Sequence, residues 1–345
     1  MSTSIRKVVV TAFGDHSNVK VITDTIAAPA AHEVQIKVLY AGMGGSDMAM
    51  RNGVYPMQKK APLTLGYCCV GRVHQNGSKS SKFNPGDLVA CMTIYDSQAE
   101  LVNQPEKYLI PVPEGLDLQQ VVALILDWNV GYAMAYHTAN ITPGSRVFIH
   151  GLSGSCGFAL LTFAKMQGAE VYGTASEANH AAVRAAGATP FVYTDKNWIT
   201  AMNAIGGAHF VFDPLGFESY DESWQILAGK KGGKQGGHLI GYGSNQHALN
   251  GTKPRSGNVE IAKLIARGLV PFCPYKTSFY YIDRDQADFV PDFENLVSLL
   301  QKGVITVPIR KVWPLEEVPE GHRVWNKGAG VGAVVVKVAE DKPGF

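Results

Sequence analysis

The stretch that most constrains this chain is Arg146–Ser176, RVFIHGLSGSCGFALLTFAKMQGAEVYGTAS. An apolar run, Val147-Phe148-Ile149, enters a turn of small residues, His150–Gly157; a long apolar segment, Phe158–Met166, follows, and then a second β-rich run, Glu170–Thr174. Strand, glycine turn, helix, strand is the order of the βαβ unit that binds a dinucleotide. Gly154 and Gly157 let bare backbone approach a pyrophosphate and let helix and strand pack closely. The N–H groups of the helix's first turn then face the phosphate, and the helix dipole favours its charge. A glycine triple alone is weak evidence and can be purely structural. Placed between a clear strand and a clear helix, it marks Ser153, Gly154, Ser155, Cys156 and Gly157 as cofactor-binding residues.

A chain of 345 residues suits two domains, or one large domain with an insertion, and its composition is that of an ordinary globular protein. The formal charge of +2 is spread evenly, with no basic tail or acidic block, which argues against nucleic acid and membrane surfaces as partners. No stretch reaches transmembrane length, and MSTSIRKVVVTAFGD has no long apolar core with a cleavage site. The five scattered cysteines (Cys68, Cys69, Cys91, Cys156, Cys273) make a disulfide framework unexpected. A cytoplasmic location is therefore expected.

Taken in order, KVVVTAF, VKVIT and EVQIKVLYAG read as strands, residues 41–56 as irregular, and LTLGYCCVGRVHQNG as a further strand pair. Short strands at this spacing, without helical periodicity, suggest a partly closed barrel over residues 1–118. After the break at Pro111 and Pro113 the chain turns helical through LQQVVALILDWNVGYAMAYHTA. Past the glycine turn, Ser176 is placed to cap a helix through NHAAVRAA, with Gly187 as its stop. PFVYTD, HFVFDPLG and HLIGYGS read as buried parallel strands, and strands alternating with helices specify a doubly wound parallel sheet. KKGGKQGG (230–237) reads as a flexible polar loop, and IAKLIARG as a helix stopped by Gly268. ENLVSLLQKG, TVPIRKVWPL and VGAVVVKV return to complete the first domain.

This order of parts resembles the medium-chain dehydrogenase/reductase superfamily, and more closely its zinc-free branch of quinone oxidoreductases (zeta-crystallin) and 2-enoyl thioester reductases. GSDMAMRNGVYP (45–56), NPGDLVA (84–90), SQAELVNQPEKYLIPVPEGLD (97–117), HGLSGSCG (150–157), FDPLG, LIGYGS and PLEEVPEGHR carry the likeness over nearly the whole chain. It implies a Rossmann domain, the α/β doubly wound parallel sheet, over residues 122–279, inserted in a discontinuous GroES-like β-barrel domain of residues 1–121 and 280–345.

Zinc-dependent relatives need a Cys before the Ser-Asp pair and a Gly-His-Glu to hold a tetrahedral ion. The corresponding positions here are Gly45, Tyr67 and Cys68, so no metal is expected. Without a Lewis acid, hydride addition to a conjugated carbonyl needs a hydrogen-bond donor at the developing enolate. Tyr55, in RNGVYP, is similar to the motif that carries the catalytic tyrosine of 2-enoyl thioester reductases. Two roles fit it: proton or hydrogen-bond donor, or a residue that only lines the pocket. Ser46, Tyr67 and Trp128 are expected at the same pocket, together with Phe279 and Tyr280 of the aromatic segment SFYYID, although an aromatic cluster also suits plain core.

The second strand of the nucleotide unit ends Gly173-Thr174-Ala175-Ser176, with no carboxylate before Glu177, which leaves room for a 2′-phosphate bonded by Ser176. NADPH is thus favoured over NADH, although the family's lysine reads Asn179, with His180 adjacent. Tyr193, Gly243 and Ser244 resemble the residues that meet the adenosine phosphate, ribose and nicotinamide. Three departures stand out: Val130-Gly131-Tyr132 for Thr-Ala-Tyr, Gly332-Ala333 for Gly-Lys, and Ser155-Cys156 for Gly-Val. Cys156 reads either as a packing residue or as a redox-sensitive thiol.

The expected function is an NADPH-dependent, zinc-independent reduction of an activated C=C bond (enone or enoyl) or a quinone. The alternatives are a biosynthetic enzyme of this fold with cyclising or eliminating chemistry, and a nucleotide-binding protein without turnover. A small-molecule substrate and a homodimer, through residues 259–267 and the flank Leu269–Phe272, complete the expectations.

Overall fold

The computed structural model describes residues 2–229, 236–325 and 327–341. The chain divides into two compact units, one of Met1–Asn129, Asp283–Lys327 and Ala333–Phe345, the other of Val130–Ile282 and Gly328–Gly332. The main changes of unit therefore fall after Asn129 and Ile282, where the sequence places them after 121 and 279. The first shift arises because the helical run from Leu118 buries Val121 and Val122 against strands of the first unit before it enters the second. Most of the loop expected at 230–237 lies outside the described residues.

The first leg comprises β1 (Ser2–Val10), β2 (Val19–Ala27), β3 (Glu33–Met43), α1 (Gly45–Arg51), β4 (Leu63–Thr64), β5 (Cys68–Asn76), β6 (Leu88–Met92), β7 (Leu101–Pro105), β8 (Leu109–Pro111) and α2 (Leu118–Ala123). Two π-helical turns, Leu124–Trp128 and Met134–Thr138, flank α3 (Asn129–Ala133). Residues read as irregular thus include about two helical turns at α1, opened by Asp47 accepting from Gly44 N at 2.8 Å. The LTLGY strand pair reduces to a two-residue β4 followed by a long β5.

The second unit carries β9 (Arg146–His150), α4 (Ser155–Met166), β10 (Glu170–Ala175), α5 (His180–Ala185), β11 (Ala188–Val192), α6 (Asn197–Ala204), β12 (Phe210–Asp213), α7 (Glu218–Gln225), β13 (His238–Gly241), α8 (Gln246–Asn250), α9 (Asn258–Leu269) and β14 (Lys276–Phe279). Its strands lie in the order β11-β10-β9-β12-β13-β14, every pair parallel. That is the doubly wound dinucleotide-binding order. The strands are short and apolar because both faces are covered: Val147, Phe148 and Ile149 are fully buried. Phe148, Trp198, Met202, Tyr220, Leu239 and Leu264 share one core.

The chain then returns through α10 (Phe289–Gln301), β15 (Ile309–Pro314), α11 (Val318–Arg323) and β16 (Ala333–Lys337). β16 pairs antiparallel with β3, which also pairs with β5 and β7. Register shifts at Gln35/Ile36 and Val38/Tyr40 bend β3, the device that curls a GroES-like sheet. Arg72 forks to Glu114 (2.8 and 3.0 Å) and to Asp341 (2.6 and 2.8 Å), fastening the chain's last described residue to the first unit.

Two local expectations change. Gly268 does not stop α9, which runs to Leu269; a Cβ there would stand 2.3 Å from Thr277 Oγ1, so this glycine serves the close approach of α9 to β14. Ser176 precedes a 3-10 turn (Glu177–Asn179) without capping it through its side chain. Gly187, with φ +89°, does end α5 in the left-handed region. Among the described residues no helix is long and apolar enough to cross a membrane.

Candidate functional site

The C-terminal edge of the parallel sheet gathers every cofactor residue expected from the sequence. β9 ends at His150, Gly151 turns with φ +75°, and α4 begins at Ser155 with Gly154 as its N-cap. A Cβ on Gly157 would lie 2.1 Å from Gly151 O, and one on Gly173 would lie 2.0 Å from Ile149 O, so turn, helix and strand meet with no room for a side chain. Gly154, by contrast, has only ordinary contact around its would-be Cβ, 3.4 Å from Gly151 O, which leaves its face open. Ser155 Oγ is buried without a hydrogen-bond partner at the start of a twelve-residue helix. A helix start whose first-turn N–H groups need no intrahelical partner, a partnerless hydroxyl and bare glycine fit the pyrophosphate of a dinucleotide.

Tyr193 follows β11, and Gly243 and Ser244 follow β13. A Cβ on Gly243 would reach within 2.5 Å of Pro214 O, and its carbonyl accepts from Tyr220 OH at 3.1 Å. Asn179 is buried, and its Oδ1 accepts from Gly330 N at 2.7 Å. Gly332 N donates to Ser153 O at 2.9 Å. The segment 328–332 is thus tied to the glycine turn, and Asn179 is a structural clasp for it. Gly131 has a packing reason as well: a Cβ there would come within 2.7 Å of Ala159 Cβ on α4. Cys156 is half-buried in the first turn of α4. Phe279 packs against the apolar core of the second unit, and Tyr280 N donates to Gly241 O at 2.8 Å.

In the first unit, Tyr55 OH and Tyr67 OH are 2.8 Å apart, with their rings edge to face at 5.9 Å. Tyr67 is 2 % exposed and Tyr55 half-buried, so Tyr55 presents the more accessible phenol. Tyr67 is held by its backbone: its carbonyl accepts from Thr93 N (2.9 Å) and Ile94 N (3.0 Å). Ile94 and Asp96 have φ of 70° and 72°, strained for residues with a Cβ, and Gly66 has no space for one, because Ser97 Oγ would lie at 2.3 Å. Ser46 Oγ on α1 is buried and lacks a partner, as a hydroxyl facing a ligand would be. Trp128 is fully buried in the first unit.

Sequence reasoning missed Asp47. Its carboxylate, 1 % exposed, accepts from Gly44 N (2.8 Å), Gly66 N (3.0 Å) and Gln98 Nε2 (3.5 Å), joining the start of α1 to the residue before Tyr67. Burial pushes its pKa up to about 6, against the pull of those N–H donors, with Asp127 adding to the rise. The signal was the Ser-Asp pair of the motif, whose acid had no visible partner in sequence.

The residues at the zinc-ligand positions do not fit the ion. Gly45 has no side chain, Tyr67 pairs with Tyr55, and burial pushes the Cys68 thiol well above its ordinary range, away from the thiolate zinc takes. The cavity between Gly44, Asp47, Tyr67, Cys68 and Asp127 has about 10 Å³, room for one water. Among the described residues no three His, Cys, Asp or Glu side chains are grouped to hold a metal.

Comparison with known proteins agrees with this architecture. Residues 30–114 match the alcohol dehydrogenase GroES-like domain, and residues 186–336 match the family described as zinc-binding dehydrogenase. The chain is 25 % identical over 353 residues to the synaptic vesicle membrane protein VAT-1 homolog of Homo sapiens, covering 98 % of this chain and 88 % of that protein. It is 25 % identical over 337 residues to the quinone oxidoreductase of Mus musculus, covering 94 % and 95 %. The solved Escherichia coli quinone oxidoreductase complexed with NADPH superposes with a TM-score of 0.81 at 19 % identity, covering 96 % of this chain and 100 % of that one. The chain belongs to the medium-chain dehydrogenase/reductase family of oxidoreductases.

Proposed function

We propose that this protein is an NADPH-dependent, zinc-independent reductase acting on an activated C=C bond, of an enone or enoyl compound, or on a quinone. The observation that carries the reading is the phenol pair: a hydrogen-bond donor, Tyr55, braced by Tyr67 where metal-dependent relatives keep a ligand. The bound dinucleotide supplies hydride. The first-turn amides of α4 and Ser155 Oγ hold its pyrophosphate, and the uncharged end of β10 at Ser176 admits a 2′-phosphate. Tyr193 would stand beside the adenosine phosphate, and Gly243 and Ser244 would meet the ribose or nicotinamide.

Adding hydride to a conjugated carbonyl or quinone places negative charge on oxygen. Tyr55 O–H donates to that oxygen, and Tyr67 fixes the Tyr55 hydroxyl so that no reorientation is needed as the charge grows. With Asn179 committed to Gly330, the preference for NADPH over NADH rests on Ser176 and His180 alone and is small. Five cysteines, none of them in a disulfide, suit a reducing compartment such as the cytoplasm.

NADPH consumption measured against a panel of quinones, enones and enoyl thioesters tests the reading. Turnover with at least one class, unaffected by a zinc chelator, is the expected result. Saturable NADPH binding without turnover on any acceptor would favour the non-redox alternatives, to which the loss of the nicotinamide threonine at Val130 and of the lysine at Ala333 lends some weight.

A further inference from the structure

Beneath the glycine turn, side chains from four separate elements form one unbroken chain of hydrogen bonds, and counting donors fixes its direction. Asp213, at the end of β12, is fully buried. Its Oδ1 accepts from Leu215 N (2.8 Å) and Gly216 N (3.2 Å), and its Oδ2 from Ser219 Oγ and Ser223 Oγ (2.7 Å each). Ser223 has one hydroxyl hydrogen, and Asp213 takes it. Its oxygen can therefore only accept from His150 Nε2, 3.0 Å away. His150 must then carry its hydrogen on Nε2, which leaves Nδ1 to accept from Thr174 Oγ1 at 3.3 Å. Thr174 Oγ1 in turn accepts from Gly151 N at 3.2 Å.

The imidazole is enclosed between Phe148 and Trp198, both with ring centroids within 5.1 Å. Burial holds its pKa below the usual histidine range, with Asp213 opposing, which agrees with a neutral ring. This chain of hydrogen bonds ends on the backbone of the turn. The next peptide is held as well: Leu152 N donates to Thr174 O (2.9 Å), and Gly151 O accepts from Gly154 N (3.0 Å) and sits against Gly157, so Gly151 is fixed on both sides up to the start of α4.

We propose that His150, as its Nε2-protonated tautomer anchored by Ser223 and Asp213, is a positioning residue that acts through Thr174 to fix the Gly151 peptide and, with it, the amides that receive a dinucleotide's pyrophosphate. The inference rests on the dinucleotide-binding reading above and names the side chains that pre-organise that turn.

The test compares the unaltered protein with Thr174→Val, which keeps the side-chain shape and removes the hydroxyl, and with Thr174→Ser, which restores it. In nucleotide-free protein, hydrogen exchange at Gly151 N–H should be faster in Thr174→Val and normal in Thr174→Ser. The dissociation constant for NADPH should rise about tenfold in Thr174→Val, the worth of one hydrogen bond, and recover in Thr174→Ser. Nitrogen NMR of histidine-labelled protein should show His150 protonated on Nε2 and bare on Nδ1. Ser223→Ala, which removes the acceptor, should disturb that tautomer. A His150 hydrogen on Nδ1, or unchanged NADPH affinity in Thr174→Val, overturns the inference while leaving the functional reading intact. Failure of the unaltered protein to bind either nicotinamide dinucleotide overturns the functional reading and this inference with it.

Discussion

At the glycine turn of the second unit, Gly151 N–H, Thr174, His150, Ser223 and Asp213 each have a partner at 2.7–3.3 Å, and Ser155 Oγ at the start of α4 has none. In the first unit, Asp47 keeps its carboxylate against a strong burial penalty and Ser46 Oγ beside it on α1 has no partner, while elsewhere in that unit Arg51 Nε and both ring nitrogens of His322 have none either. A site made of backbone amides needs glycine and an exact neighbour, so it is complete before any ligand arrives. A site made of side chains holds polar groups in reserve, at a cost in stability, and so becomes the pH-sensitive part of the molecule.

The largest expected effect sharpens the chemical side of this contrast. Tyr55→Phe should lower the turnover number by about 100- to 10,000-fold, the range of a general acid, while leaving NADPH affinity unchanged. A rate within twofold of the unaltered protein would reduce Tyr55 to a lining residue.

His322 should dominate the acid limb of stability. Its folded-state pKa is pushed down from 6.5 to about 3 by burial and then by Arg51 and His16. A depressed histidine contributes stability that is present above pH 6.5 and is lost as pH falls toward 3, because the unfolded chain takes up the proton there. Over that interval the contribution is at most about 5 kcal/mol. Urea denaturation of His322→Leu near pH 4 and near pH 7 should show a flatter acid loss than the unaltered protein. An equal loss in both would place the acid sensitivity elsewhere, for instance at His150 of the second unit, whose pKa is also lowered.

Asp47 works with the opposite sign. Its folded-state pKa lies above the unfolded value, so its contribution to stability falls as pH rises from 3.8 to about 6. Asp47→Asn should abolish that dependence but leave one of the N–H groups of Gly44 and Gly66 facing an amide, a loss of about 1–3 kcal/mol near neutral pH, measured by denaturant midpoint. A variant more stable than the parent would mean that the N–H bonds contribute less than the burial penalty removes. The smallest expected effect is that of Tyr67→Phe, about a tenfold fall in rate from loss of the bond to Tyr55, with little change in stability. An unchanged rate would leave the phenol pair as packing alone.

The same contrast explains what could be read in the sequence. The turn at residues 150–157 was legible because its chemistry is local: a strand, glycines and a helix start lie within thirty-one positions, Arg146–Ser176. The network beneath it was not, because His150 finds Ser223 seventy-three residues away and only the parallel sheet brings them together. Gly131 was visible as a departure, but its reason, the surface of Ala159, belongs to tertiary packing. Gly268 misled, since a glycine late in a helical pattern serves both as a stop and as a close approach, and Thr277 settles which. Tyr55 and Tyr67 were expected at one pocket; that their hydroxyls touch depends on a turn stapled by the N–H groups of Thr93 and Ile94.

The measurement closest to the central claim is calorimetric titration of the purified protein with NADPH and with NADH, repeated on Gly157→Ala. A methyl at residue 157 would stand 2.1 Å from Gly151 O, and forcing the turn apart should weaken binding by about 10- to 100-fold. The account predicts saturable binding of NADPH, weaker binding of NADH, and this loss in the variant. Absence of heat and of saturation with both nucleotides, in a protein that unfolds cooperatively, would contradict it.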